Sequence, residues 1–318
     1  MSAQLTAEWP RVLATGGTGL VGSAIVRRLV AAGCSVQVIS RRSDYPAPPG
    51  VSMYRGHLTD TKDVAAAMRG CDAVFHCAAE TRDPDSMAAV NVTATRLLLE
   101  AARNLGLNFF CYLSSVGVIG RTRAKLVDES APCHPMNLYA ESKLAAEQIL
   151  SDGLPGGSLL ILRPTNIFGP ETLRPWLHDS IRSRVRQFLT GREKSHLIYV
   201  EDVAAAAVHL FQMPRHPGVD TFIVSSDEEP EGTNREVQAA LASMIETAPR
   251  PSINPAPLWV PHCARLIRHG QSNLGDVTYS SHRLFQAGYR MPYGLRNGLI
   301  EAVRLMREPL AIPGSELP

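Results

Sequence analysis

The sequence predicts an α/β protein: a doubly wound parallel sheet followed by a smaller C-terminal lobe. Three observations carry this. Up to Thr165, short β-rich runs alternate with helical patterns. A glycine-rich turn sits between the first strand and the first helix. After Arg163 the rhythm breaks into an Arg-rich and then a Pro-rich stretch. Strands spaced by helices of this length are joined by crossovers, which set neighbouring strands parallel.

The elements follow in order. Arg11–Thr15 reads as a strand and 19–32 as a helix, with Leu20, Ile25, Val26, Leu29 and Val30 on its apolar side. SVQVIS at 35–40 alternates with period two, and 53–55 is a short strand. Residues 64–68 read as helix, 73–77 (AVFHC) as strand and 91–104 as helix. Then 109–114 (FFCYLS) reads as strand, 139–150 as helix and 158–162 as strand. Residues 170–195 are Arg-rich and helical. Two strands, 197–200 and 221–224, flank a helix over 203–213 and are expected to complete the main sheet. The segment after Glu228 keeps Trp259, Leu266, Ile267, Leu284, Phe285, Leu299 and Val303 among its prolines, which suits a shaped wall rather than a linker. The expected division is 1–169 as the main domain, with 196–226 returning to its sheet. Residues 170–195 and 227–318 then form the smaller, substrate-binding lobe.

Composition narrows the function. Of 318 residues 45% are apolar and 19% charged, the mix of a globular chain with a large core. A net charge of +2 offers no strong field toward nucleic acid or an anionic membrane. Cys34, Cys71, Cys77, Cys111, Cys133 and Cys263 form no CxxC pair, so reduced thiols are expected rather than a metal site or disulfide framework. Residues 1–10 lack the apolar core of a signal peptide, and no apolar run reaches bilayer-spanning length. The expectation is a cytoplasmic protein with a small-molecule substrate, no metal, no nucleic acid and no membrane.

VLATGGTGLVG places Gly16, Gly19 and Gly22 three residues apart, directly after a strand and opening a helix. A dinucleotide-binding Rossmann fold needs this: a tight turn, close backbone approach to a pyrophosphate, and helix amides aimed at negative charge. Such turns also arise for structural reasons alone, but the first βα turn favours the dinucleotide. The second strand ends in Ser40-Arg41-Arg42-Ser43-Asp44. A carboxylate there grips ribose hydroxyls, whereas arginine accepts a 2′-phosphate. Arg41 and Arg42 thus favour NADP(H), while Asp44 leaves NAD open.

Tyr139 and Lys143 lie at i,i+4 on one helix face. Tyrosine titrates near 10, too high for neutral-pH acid–base work, and an ammonium one turn away is expected to lower it. The same lysine can hold a nicotinamide ribose. The chain has only four lysines, at 62, 125, 143 and 194, yet YxxxK alone is a weak motif. Ser115 strengthens it. At a strand end its hydroxyl emerges at the carboxyl edge of the sheet, where it can donate to a carbonyl or alkoxide oxygen. Ser114 is the plain strand-end alternative.

TGGTGLVG, CAA at 77–79, NVTAT at 91–95, LSSVGVIG at 113–120, YAESK, RPTNIFGP at 163–170 and YVEDV at 199–203 occur in this order. The chain thereby resembles the extended short-chain dehydrogenases/reductases, the NAD-dependent epimerase/dehydratase-like family, over nearly its whole length. The resemblance implies hydride transfer at a secondary alcohol or ketone carbon, with Ser115, Tyr139 and Lys143 catalytic. It places Gly16, Thr18, Gly19, Leu20, Val21 and Gly22 at the pyrophosphate. Leu58, Cys77, Ala78, Ala79, Pro164, Asn166 and Ile167 join Tyr139 and Lys143 along the cofactor cleft, with Asn91 in support. A homodimer through the helices of NVTAT and YAESK is also implied.

Several positions depart from the pattern. His57 stands where an acidic residue usually follows the third strand, with Asp60 three residues later; His57 is read as a solvated loop residue. Ile119 replaces an aromatic. Ser195 and His196 stand where nucleotide-sugar epimerases often carry a diphosphate-holding arginine, although Arg192 is close. The Thr-Asp-Glu of 4,6-dehydratases is absent. Candidate substrate contacts are Arg82, Ser115, Asn166, Arg174 and Trp176, with His178 and Arg182. Arginines between 174 and 192 either clamp a diphosphate or face water. The first expectation is therefore a nucleotide-activated sugar or its keto form. The alternative is an NADPH-dependent ketoreductase of a sterol-like, phenolic or other small carbonyl compound. A cofactor-sensing protein without turnover is a third reading, but such proteins usually lose the tyrosine or lysine.

Overall fold

A computed structural model describes residues 10–42, 47–177, 181–230, 232–245 and 254–307. The chain runs β1 (Arg11–Thr15), α1 (Leu20–Ala31), β2 (Ser35–Ser40), β3 (Val51–Arg55), α2 (Thr61–Met68), β4 (Ala73–His76), α3 (Pro84–Ala88), α4 (Ala94–Asn104), β5 (Phe109–Leu113), β6 (Leu126–Val127), α5 (Leu138–Leu150) and β7 (Ser158–Pro164). There follow β8 (Asn166–Phe168), α6 (Pro170–Leu177), α7 (Ile181–Thr190), β9 (Leu197–Tyr199), α8 (Val200–Gln212), β10 (Gly218–Val224), α9 (Asn234–Met244), α10 (Trp259–His269), β11 (Thr278–Tyr279), α11 (His282–Gln286) and α12 (Gly294–Arg307).

Among the described residues seven strands form one parallel sheet in the order β10-β7-β5-β4-β1-β2-β3. The chain winds outward from β1 to β3, then crosses back to β4 and winds the other way. The crevice beyond the carboxyl ends of β1 and β4 is therefore the switch point where such sheets bind ligands. Both faces are covered, so strands read as continuous apolar runs. On one face Val12, Ala14, Phe75 and Phe109 pack with Ile25 and Leu29 of α1 and Val203 and Phe211 of α8. On the other, Leu13, Val74, Phe110 and Tyr112 meet Met68 of α2, Leu98 of α4 and Ala146 and Leu150 of α5.

Three features differ from the sequence reading. Only β10 joins the main sheet, pairing along all seven residues of β7; β9 pairs instead with β8 in a separate two-stranded sheet. The edge beyond β7 is filled by the longer partner. The helix expected from 91 starts at Pro84, because Asp83 accepts the Asp85 N–H as an N-cap and proline suits the first turn. A π-helical turn, Ala89–Thr93, joins α3 to α4. After Glu228, where no strand series is legible, β11 pairs with β6.

Asp202 anchors the C-terminal helix. Its buried carboxylate accepts the Tyr293 and Gly294 N–H groups at 2.9 and 3.0 Å, and the Tyr289 hydroxyl donates to its carbonyl at 2.7 Å. Burial pushes the carboxyl up to about 7 although both amides pull it down. A folded value above the ordinary value of about 4 means the folded state holds this proton more tightly. Its contribution to stability is thus present below pH ~4 and is lost as pH rises toward about 7. Asp202→Asn is expected to flatten that fall, read as urea midpoints of both proteins against pH; parallel curves would refute it.

Candidate active site

The glycine turn is shaped by contacts that exclude side chains. Gly16 has φ +65°, and a Cβ there would lie 2.7 Å from the Ala78 nitrogen on the neighbouring β4 loop. A Cβ on Gly22 would lie 2.1 Å from the Gly16 carbonyl oxygen. Helix α1 therefore starts hard against the turn. Gly19 is its N-cap, no side chain caps it, and its first turn holds no acidic residue. The amides of Leu20, Val21 and Gly22 are the donors a helix start leaves without intrahelical partners, at the positive end of its dipole.

This turn borders a cavity of about 500 Å³, of a size that suits an extended cofactor. Of the residues expected there, Gly16, Thr18, Gly19, Arg41, Arg42, Leu58, Cys77, Ala78 and Ala79 line it. Ile39, Ser40, Gly56, His57, Thr59, Glu80 and Val90 line it as well. All lie at or just beyond the carboxyl ends of β1 to β4 or on the π turn, and the end of each strand is the signal that could have found them. His57 is exposed, as expected, yet it forms part of the wall. Asp44 lies outside the described residues. A cradle closed to any Cβ, helix amides without a cap and two arginines at the second strand end fit a phosphate-bearing dinucleotide.

Asn91 lies behind this wall, buried on the π turn. Its Oδ1 accepts the Glu80 N–H at 2.7 Å, and its Nδ2 donates to the Glu80 carbonyl and to Ser142 Oγ, both at 2.9 Å. One side chain thus ties the β4 loop to α5. Beneath it His76 bridges Thr15 Oγ1 (2.7 Å) and Thr95 Oγ1 (2.9 Å), and Thr15 Oγ1 accepts the Ala78 N–H. Burial lowers His76 to about 3, so the ring is neutral at physiological pH.

Beyond the cavity stand Ser115, Tyr139 and Lys143. Ser115 follows β5, and its half-buried Oγ accepts the Gly117 N–H at 3.0 Å, capping a 3-10 turn. Val116 and Val118 of that turn pack against Leu144 of α5, bringing the serine to the helix of Tyr139 and Lys143. Ser114 is committed elsewhere: buried, it donates to Glu147 Oε1 at 2.5 Å. Asn137 caps α5 by accepting the Ala140 N–H at 2.9 Å, which fixes the first turn and Tyr139 with it.

The expected lowering of Tyr139 by Lys143 is not what the structure shows. Burial drives the phenol up to about 12. Lys143 Nζ lies 5.9 Å from the centre of the Tyr139 ring and donates to the Leu113 carbonyl at 2.6 Å. Burial brings the lysine itself down to about 8, against the opposing pull of Cys77 and Glu147. Burial is the leading cause of both shifts. One turn further along α5, Glu147 receives Arg163 of β7 through Nε at 3.0 Å and Nη2 at 2.6 Å, with both side chains under a tenth exposed.

The proposed substrate contacts are dispersed. Arg82 is exposed, with its N–H on Glu80 Oε1. Asn166 donates its N–H to the His196 carbonyl at 2.6 Å and its Nδ2 to the Ser195 carbonyl at 3.1 Å. Pro164 is buried at the end of β7 and Ile167 half-buried on β8, outside the cavity of the glycine turn. Arg174 and Arg182 are exposed, Trp176 stacks under the Arg186 guanidinium at 5.2 Å, and His178 lies outside the described residues. A second cavity of about 560 Å³ opens beside Met136 and Asn137, two residues from Tyr139, and is lined also by Glu193, Lys194, His196, Arg265 and Asn273. Of these, His196 drew notice only for standing in place of an arginine and the other four were not singled out as site residues, because only the folding of the chain brings 193–196 against 265–275.

Residues 12–224 match the sequence profile of the NAD dependent epimerase/dehydratase family. A 3 beta-hydroxysteroid dehydrogenase/Delta 5-->4-isomerase of Mycobacterium tuberculosis is 33% identical, over 81% of this chain and 76% of that protein. Sterol demethylase protein B of Methylococcus capsulatus is 30% identical, over 68% and 69%. Among solved structures, the UDP-glucose 4-epimerase of Thermus thermophilus in complex with NAD superposes with a TM-score of 0.69 at 28% identity. It covers 93% of this chain and 99% of that one.

Proposed function

Because the chain belongs to the NAD-dependent epimerase/dehydratase family, we propose that it oxidises or reduces a small non-sugar alcohol or ketone with a dissociable NADP(H). The observation that supports this reading is a glycine turn closed to side chains at a cavity lined by Arg41 and Arg42, with Tyr139 and Lys143 on one face of α5 and the Ser115 turn packed in the same cluster as Leu144 of that helix. Gly16, Gly19 and Gly22 would hold the pyrophosphate, Leu58 and Cys77–Ala79 the flanking walls, Arg41 and Arg42 a 2′-phosphate, and Lys143 the nicotinamide ribose. When bound, the nicotinamide supplies or accepts the hydride. Ser115 donates a hydrogen bond to the substrate oxygen, and Tyr139, kept protonated by burial, gives its proton to that oxygen in reduction and regains it in oxidation.

The choice of a non-sugar substrate over a nucleotide sugar rests on two points. No arginine immediately precedes β9, since Ser195 and His196 stand there, and Arg174 and Arg182 are exposed. The relatives at 30% identity or more described above are named for steroid and sterol chemistry. An epimerase of a nucleotide sugar is the second reading, favoured by the Thermus neighbour. A cytoplasmic homodimer through α4 and α5 belongs to the same proposal, and sedimentation equilibrium reads its mass.

Nucleotide released from the purified protein, identified by mass, separates the two readings. Tightly retained NAD(H) would support the epimerase and sink the NADP preference. An empty site that takes NADPH over NADH, with turnover of 3-ketosteroids rather than UDP-glucose, is the expected result. Arg41→Ala/Arg42→Ala should then raise KM for NADPH by about 10- to 100-fold, the worth of one charge-assisted hydrogen bond or more, while leaving KM for NADH unchanged. Equal losses with both cofactors would remove the arginines from this role.

A further inference from the structure

Helices α7 and α10 present their apolar stripes outward. On α7, Ile181, Val185 and Phe188 repeat at i, i+4 and i+7 and are 83%, 52% and 44% exposed. On α10, Trp259, Leu266 and Ile267 lie on one side and are 62%, 40% and 89% exposed. A surface helix of a globular domain normally turns such a stripe to the core; α12 does so with Leu295, Leu299 and Val303. Helix α7 buries no residue at all, and α10 buries only Pro261. The two helices touch, and the Ala256 N–H just before α10 donates to the Phe188 carbonyl at 2.8 Å. The two exposed stripes therefore lie on adjacent helices.

The charge carried by the two helices themselves has one sign. Residues 181–190 and 259–269 contain Arg182, Arg184, Arg186, Arg265 and Arg268 and no aspartate or glutamate, in a chain whose net charge is only +2. Arg265 turns inward to Glu193 at 2.5 Å, but Arg182 and Arg268 are exposed on the same helices as the apolar side chains. An apolar stripe on two adjacent helices that carry arginines and no carboxylate of their own complements an anionic bilayer surface. The apolar groups enter the acyl boundary, the indole sits at headgroup level, and the long arginine stems reach back to phosphates.

We propose that the α7–α10 face attaches the protein peripherally to anionic lipid. Such attachment needs no spanning segment, and among the described residues no helix is long and apolar enough to cross a membrane. It also revises the expectation of no membrane partner, since a chain-wide net charge does not register a local basic, apolar face.

Flotation of the full chain with vesicles tests this, using phosphatidylcholine alone and phosphatidylcholine mixed with phosphatidylglycerol. Binding is expected to the mixed vesicles only, to weaken with salt, and to fall roughly 25-fold in Arg182→Gln/Arg268→Gln, about five-fold per arginine. Ile181→Ser/Ile267→Ser, both at exposed positions, should abolish it while the thermal melting curve stays in place. Absence of binding to the mixed vesicles overturns the proposal, and so does binding that survives both double variants. If instead the protein self-associates in solution and the serine variant makes it smaller, without vesicle binding, the face is an interface between copies and the lipid assignment falls.

Discussion

Replacing Tyr139 by phenylalanine is expected to lower kcat by about 10²- to 10⁴-fold, the range one positioned proton donor supplies. The ring stays, so the packing of the first turn of α5 should survive, and so should the Asn137 cap that fixes it. Dinucleotide affinity should change little, because the glycine turn and the uncapped start of α1 are separate from the phenol. The pH profile adds a sharper readout. With the phenol up at about 12, the donor form is fully populated through neutral pH, and the reductive rate should be flat there. The first inflection should come near pH 8, where buried Lys143 gives up its charge. Steady-state kinetics of both proteins from pH 6 to 10 would check this. A variant retaining more than a tenth of wild-type kcat would remove Tyr139 from the chemistry, and a reductive limb falling near pH 6 would assign the proton to another group.

The parts of this site that could be read from sequence are those fixed by short spacing. Gly16, Gly19 and Gly22 declare themselves because a strand–turn–helix unit is local, and the structure confirms their crowding against Ala78 and against one another. Ser115 could be preferred to Ser114 from strand-end geometry, and the Ser114–Glu147 bond now explains why the other hydroxyl is occupied. What failed depends on distant chain. The wrong direction for Tyr139 came from weighing one neighbour, Lys143, while the burial imposed by the surrounding elements was invisible. The start of α3 was missed because Asp83-Pro84 looks like a loop until its N-cap is seen. Residues 197–199 read correctly as a strand but went to β8, since pairing partners are not written in a strand's own sequence. Glu147 drew no attention and Arg163 only as the start of RPTNIFGP, so their pairing was missed, each being a single charge beside an apolar pattern.

That pair carries the largest stability prediction. Arg163→Met should destabilise the fold by roughly 3–5 kcal/mol, because it strands the Glu147 carboxylate where water cannot reach it. The pair is nearly closed to solvent, two-pronged, and shares Glu147 with Ser114, so it joins β5, α5 and β7 at one point. Two costs compete in such a site. Desolvation penalises both ions, which pulls the arginine down, and the contacts with Glu147 overcome it, leaving Arg163 even more firmly protonated than usual. If the single loss reflects a stranded charge rather than lost volume, removing the partner as well should return most of it. Arg163→Met/Glu147→Leu is therefore expected to lie much nearer the wild type in urea denaturation than either single variant. Additive losses would mean that packing, not charge, sets the cost. The double variant also isolates what the pair does for function, since Glu147 sits one turn beyond Lys143 on α5. A stable double variant whose kcat falls while KM holds would show that the clasp sets the register of α5 under the active site. Unchanged kcat would confine the pair to holding the sheet and helix together.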